Sequence, residues 1–260
     1  MTITLIGAGN VATSLAPALI QKGHTIKQIF SRHLSTAQHL AATLPLPVPC
    51  TDSYEDIQTE SDCYIYCLTD NALPEAVRRL NELKGEHLSH AMHLHTAGSV
   101  PLSVFPFTWE RTGILYPFNS FSRQVLQDFA NVTLLIEANN ADTLSEIRVL
   151  AQSLSPMVYE ADSEQRGYVH LAGNIANCFT NCLADMAREQ LERAGLPFEI
   201  ILPVMHHTVD KLHRLTPREA QTGPAARRDT NTMNKHLQLL TSEKDRQIYT
   251  LLTEKIISYT

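Results

Sequence analysis

The stretch MTITLIGAGNVA, residues 1–12, decides how the rest of the chain is read. Thr2 to Ile6 is a β-rich run, Gly7-Ala8-Gly9-Asn10-Val11-Ala12 follows it as a GxGxxA pattern, and Val11 to Lys22 has helical composition. Each small residue has a mechanical reason. Gly7 permits the tight turn, Gly9 lets the backbone approach a pyrophosphate, and Ala12 allows the helix to pack against the strand. The unpaired N–H groups of the first helical turn, at Asn10 and Val11, and the positive end of the helix dipole then suit a phosphate. The functional reading is a dinucleotide-binding turn. The bland alternative is an ordinary glycine-rich turn between strand and helix.

Outward from this turn, β-rich runs alternate with helix-like segments: Ile26 to Ser31 then Ser35 to Leu44, and Cys63 to Leu68 then Ala72 to Lys84. Further strand candidates are Ala91 to His95, Gly113 to Tyr116, Val132 to Glu137 and Met157 to Glu160, with a helical pattern at Ala141 to Leu154. This is the rhythm of βαβ units, and it predicts an open, mainly parallel sheet of eight strands. After Asp162 the β-rich runs stop, and Ser163 to Ala194, Phe198 to Leu215 and Asp229 to Leu240 read as helices. The expected fold is α/β: a Rossmann-type domain over 1–162, then an all-α domain over 163–260, packed closely with a cleft between them.

The end of the second strand selects the dinucleotide. An NAD site places Asp or Glu there, about 20 residues after the turn, to hold the ribose 2′-hydroxyl. This chain has Phe30-Ser31-Arg32-His33 instead. Ser31 can donate to a 2′-phosphate and Arg32 can pair with it and stack on adenine, so NADP is favoured over NAD. The alternative for Arg32 is a solvated loop arginine. Two further strand ends face the same crevice, Leu68-Thr69-Asp70-Asn71 and His95-Thr96-Ala97-Gly98-Ser99, because open α/β sheets bind ligands at the carboxyl ends of their strands. Leu68, Thr69, Asp70, Thr96, Ala97 and Gly98 are candidates to lie against ribose and nicotinamide. Asn71 reads equally as a helix N-cap.

At about 100° per residue, Tyr168, Leu171, Ile175, Phe179, Cys182 and Met186 share one side of the helix predicted from Ser163, a core face or a dimer seam. Opposite them fall Arg166, His170, Asn174, Asn177 and Asn181. Asparagine is a poor helix former, so a stripe of it marks either a substrate site or a polar network between helices. Arg227 and Arg228, in a loop ahead of the candidate N-cap Asp229, can hold an anionic group or pair with surface carboxylates.

Charge and composition exclude several classes. With 21 basic and 27 acidic residues the net charge is −6, so nucleic acid and anionic membrane are not expected partners. Residues 1–162 carry 9 basic and 16 acidic side chains, whereas 163–260 carry 12 and 11, which supports the boundary. Five cysteines do not make a secreted disulfide framework, and the first residues read as a strand rather than a signal peptide, so a cytoplasmic location is expected. Cys63, Cys67, Cys178 and Cys182 read as packing residues. His93 and His95 lack the further ligands zinc needs, and no metal is expected. No GxSxG, HExxH or Walker pattern occurs.

The residues GAGNVA, LTDNALPEAV, HTAGS, GILYPFNSFS and AQTGPAARRDTNTMNKHLQLL resemble Rossmann-like NADP oxidoreductases that carry a C-terminal helical domain of unknown function. More distantly the chain is similar to pyrroline carboxylate reductase, ketopantoate reductase and the β-hydroxyacid dehydrogenases. The resemblance implies a helical domain whose long helix faces the nicotinamide, with His170 and Asn174 where those relatives have Lys and Asn four residues apart. The chain departs from the close family at Asn177-Cys178, where two asparagines are usual, and at Asn119-Ser120, where Gln-Thr is usual. An amide replaced by a thiol loses a donor and an acceptor.

The expectation is an oxidoreductase that moves a hydride between NADPH and a small carbonyl or imine substrate. His170 is its general acid, because histidine titrates near neutral pH, with Asn174 and Asn177 orienting the substrate. Asn181 and Arg227 contact the substrate, Arg227 by anchoring a carboxylate, and a homodimer forms through the helical domain. The rival is a sensor or scaffold that binds NADP without turning it over. A weaker third reading is a Rossmann-like enzyme using another nucleotide.

Overall fold

The computed structural model describes residues 1–259. Thr2–Ile6 (β1), Thr25–Phe30 (β2), Cys50–Thr51 (β3), Cys63–Tyr66 (β4), Met92–His95 (β5), Arg111–Phe118 (β6), Thr133–Ala138 (β7) and Val158–Glu160 (β8) form one sheet in the order β3-β2-β1-β4-β5-β6-β7-β8. The first six strands are parallel, while β7 pairs antiparallel with β6 and parallel with β8. The sheet is therefore mostly parallel, as the alternation predicts. Helices Asn10–Gln21 (α1), Leu34–Ala41 (α2), Leu73–Leu88 (α3) and Ala141–Leu154 (α4) complete its α/β pattern.

Helices on both sides explain the near-continuous apolar strands. Alternate side chains point to opposite faces. Ile3, Leu5, Cys63, Ile65, Met92 and Leu94 join one buried cluster with Leu15 and Leu19 of α1 and Ile147 and Leu150 of α4. Ile6, Tyr64 and Tyr66 join the other with Val77 and Leu80 of α3, Phe105 and Trp109. Each such Leu or Ile contributes roughly 1.5–3 kcal/mol by leaving water. His93 belongs to the second face as a structural group. Its ring stacks on Trp109 at 3.8 Å, Nδ1 meets Tyr66 Oη at 3.1 Å, Nε2 meets the Leu88 carbonyl at 2.9 Å, and burial lowers its pKa to about 3.

The chain divides into two compact units, Met1–Asn177 and a second beginning at Cys178. The division falls beyond the expected 162/163 boundary because the helix Ser163–Gly173 (α5) is fastened into the first unit. Asp162 and Gln165 form a capping box at its start, with Asp162 accepting from the Gln165 N–H at 2.8 Å. One turn on, the fully buried Arg166 pairs with Glu137 of β7 and donates to the carbonyls of Ala161 (2.9 Å) and Val100 (3.1 Å). Arg166 is thus a structural member of the polar stripe, tied to the sheet and its loops rather than to another helix.

The predicted helix from Ser163 to Ala194 is continuous in outline but not in geometry. A π-helical segment, Asn174–Phe179, separates α5 from Thr180–Arg193 (α6). Its i→i+5 turns are wider, so residues after it lose the phase of those before it. His170 and Asn177 therefore do not keep the phase of one α-helical stripe. Of the two readings of the apolar side, core face or dimer seam, the core face is corrected: Tyr168, Leu171 and Ile175 are 68%, 55% and 54% exposed, and Phe179 is exposed as well. Cys63 and Cys67 are buried, whereas Cys178 and Cys182 are exposed and pack no core.

The second unit contains α6, Leu202–Leu212 (α7), Thr230–Leu239 (α8) and Glu243–Ile257 (α9), with no strand among the described residues. Asp229 caps α8 as expected, accepting from the Thr232 N–H at 3.1 Å. No described helix is long and apolar enough to cross a membrane.

Candidate functional site

The glycine turn lies between β1 and its neighbour β4. Gly7 adopts φ +111°, and a Cβ there would stand 2.4 Å from the Cys67 carbonyl, so neither the conformation nor the space admits a side chain. Gly9 caps α1 without any side-chain hydrogen bond, and no acidic residue occupies the first turn. The N–H groups at the start of α1 thus have no side chain competing for them, the donor set a pyrophosphate requires. Nearby, Thr96, Ala97 and Gly98 are buried after β5, Leu68 and Asp70 are half-buried after β4, and Thr69 is exposed. Asp70 accepts from Ser99 Oγ, joining these two strand ends. Asn71 does not cap α3, whose N-cap is Ala72.

Tyr116 of β6 is the functional candidate that sequence reasoning missed. Its phenol lies against Gly98, where a Cβ would come within 2.6 Å of the ring. Its Oη meets His170 Nδ1 of α5 at 3.2 Å, the imidazole tautomer deciding which atom donates. One turn further along α5, Gly173 leaves room for the Phe118 ring, so two turns of helix match two same-face residues of β6. Burial pushes the Tyr116 phenol up, Asp70 adds to the rise and Arg166 opposes it, which keeps the phenol protonated at neutral pH. His170 is exposed. Asn174 and Asn177 are exposed too, Asn174 opening the π-helical segment and Asn177 within it. Such segments are frequent at functional sites.

Beyond β2, Ser31 is half-buried and Arg32 exposed, and Arg32 borders a cavity of about 420 Å³. Tyr54 and Arg79 also line it, with the Tyr54 ring 4.4 Å from Phe30 and the Arg79 guanidinium 5.8 Å above Tyr54. Carboxylates share the wall: Glu75 is held by Arg78 and Arg79, Glu55 by Ser53, and Asp52 stands beside them. The strand end itself carries no carboxylate, as its sequence shows. Asn181 and Arg227 belong to the second unit. Asn181 lines a cavity of about 380 Å³ with Cys178, Asp185, Arg188 and Phe198, and Arg227 is exposed in the loop before α8.

Residues 2–89 match the family described as NADP oxidoreductase, coenzyme F420-dependent, and residues 132–256 match a domain of unknown function, DUF2520. Among solved structures, a Bacteroides fragilis protein provisionally named an NADP oxidoreductase is 38% identical, with 99% of this chain and 98% of that one covered and a TM-score of 0.90. The chain belongs to this NADP oxidoreductase family. NADP is the cofactor of the family, and the uncapped glycine turn and the carboxylate-free end of β2 fit it. For this oxidoreductase, more remote structures show likeness of fold alone. A pyrroline-5-carboxylate reductase from Coxiella burnetii is 16% identical over 98% of this chain and 96% of that one, with a TM-score of 0.60. An imine reductase from Myxococcus stipitatus, solved with NADP+, is 18% identical over 99% and 92%, with a TM-score of 0.65. No curated protein matches the chain significantly.

Proposed function

We propose that the chain reduces a small carbonyl or imine compound at the Tyr116–His170 pair, using NADPH. NADPH supplies the hydride when bound, and the protein supplies binding, orientation and the proton. Gly7, Gly9 and the N–H groups of Asn10 and Val11 hold the pyrophosphate. Ser31 and Arg32 take the 2′-phosphate, with Tyr54 beside the adenine, while Leu68, Thr69, Asp70, Thr96, Ala97 and Gly98 line the ribose and the ring.

The observation that carries the proposal is the hydrogen bond between Tyr116 and His170, beside Gly98 at the carboxyl end of the sheet. Tyr116 is kept protonated by burial and so can give a proton to the developing alkoxide or amine. His170, exposed to solvent, can return one to the phenol. Asn174 and Asn177 carry amides free to orient the substrate's oxygen or nitrogen. The protein acts in the cytoplasm, where its five cysteines stay free thiols, a location that fractionation would check. A second copy covers the exposed Tyr168, Leu171 and Ile175, which sedimentation at twice the mass of 29.1 kDa would reveal.

The test is NADPH consumption across cyclic imines, ketones and keto acids. At least one class should be reduced with one NADPH oxidised per product. Tight NADPH binding with no turnover across all three would replace the reductase by a sensor.

A further inference from the structure

The segment between β6 and β7 brings a cation to the glycine turn. Residues 119–128 are fastened to the start of α1 at three points. Asn10 Nδ2 donates to the Phe121 carbonyl at 3.0 Å, Arg123 Nη2 donates to the Ala8 carbonyl at 3.3 Å, and the Gln127 N–H donates to Ser14 Oγ at 3.1 Å. Phe121 anchors the segment from below, packing against the core with its ring 6.0 Å from that of Phe129.

The turn itself offers no positive side chain, since residues 7–21 contain neither Lys nor Arg. A dinucleotide's pyrophosphate carries two negative charges, and backbone N–H groups with a helix dipole supply only partial positive charge. The Arg123 guanidinium touches the turn at its middle residue. It is exposed, it forms no ion pair among the described residues, and its planar fork of donors matches phosphate oxygens.

We infer that Arg123 is a cofactor-binding residue that pairs with the NADP pyrophosphate, the charge the glycine turn leaves uncompensated. The inference rests on the NADP reading of the turn. In the alternative role, Arg123 merely ties the segment to Ala8.

Calorimetric titration of wild type, Arg123→Ala and Arg123→Lys with NADPH and with adenosine 2′-monophosphate separates the two, because only NADPH carries the pyrophosphate. Loss of a charge-assisted hydrogen bond predicts NADPH binding weaker by roughly 10- to 100-fold in Arg123→Ala. Adenosine 2′-monophosphate should bind as before, and Arg123→Lys should recover part of the loss. In turnover the effect should appear in KM for NADPH with kcat retained. Unchanged NADPH affinity in Arg123→Ala, or equal weakening of both ligands, would overturn the inference. Wild-type protein that binds neither ligand would remove the NADP reading, and this inference with it.

Discussion

Tyr116→Phe is expected to lower kcat by roughly 10²- to 10⁴-fold, the range for removing a general acid. The replacement keeps the ring against Gly98 and Phe118 and deletes only Oη, the atom bonded to His170. NADPH affinity should therefore stay within about threefold of wild type, since no phosphate-binding group is touched. His170→Ala should produce a loss of similar size. Residues that act as one unit are strongly non-additive, so the double variant should be little worse than the poorer single one. Steady-state kinetics with a reducible imine or ketone, paired with NADPH titration, reads both quantities. Turnover by Tyr116→Phe at the wild-type rate would remove the phenol from the chemistry, and multiplicative losses would dissolve the pair into two independent contributors.

The largest effect on stability is expected at Arg166. Arg166→Met deletes a buried guanidinium that holds Glu137 and the carbonyls of Ala161 and Val100. Breaking a buried pair by removing one partner costs about 3–5 kcal/mol. Glu137 is partly exposed and can be rehydrated, which places the expectation near the lower end, about 3 kcal/mol. That corresponds to a Tm lower by about 6–12 °C for a chain of this length. Glu137→Ala should cost at least as much, because it leaves the fully buried cation with carbonyls only. Arg166 also fastens α5, so turnover should fall with stability as the His170 contact with Tyr116 loosens. Thermal and urea unfolding of the two variants check this, and a change below about 0.5 kcal/mol in either would show that the pair is not needed to hold α5 in place.

The parts of this molecule written in local sequence were legible. The GxGxxA turn needs a positive φ at Gly7 and a small residue beside the Cys67 carbonyl, and those demands appear as residue types at fixed spacing. Seven of the eight strands coincide with β-rich runs in the sequence, the central ones buried on both faces, while β3 is two residues long and has no periodicity to read. Tyr116 was illegible for a different reason. Its partner lies 54 residues away, and only the packing of α5 across β6 brings the two together. The polar stripe assumes a constant 100° per residue, and the π-helical segment changes that angle without a compositional signature. Arg166 shows that helical phase gives direction and not depth: it shares a side with His170 before the segment, yet one is buried in an ion pair and the other is exposed. The charges around Arg32 were likewise only half visible, because Asp52, Glu55 and Glu75 come from elements other than β2.

The central claim, an NADP-dependent oxidoreductase whose second strand end selects the phosphorylated dinucleotide, is tested most directly by calorimetric titration of wild type and Arg32→Ala with NADPH and NADH. Wild type should bind NADPH at least about tenfold more tightly than NADH, the contribution of one charge-assisted phosphate contact, and Arg32→Ala should erase most of that difference. Equal affinity of the wild-type protein for the two dinucleotides, or no binding of either, would contradict it.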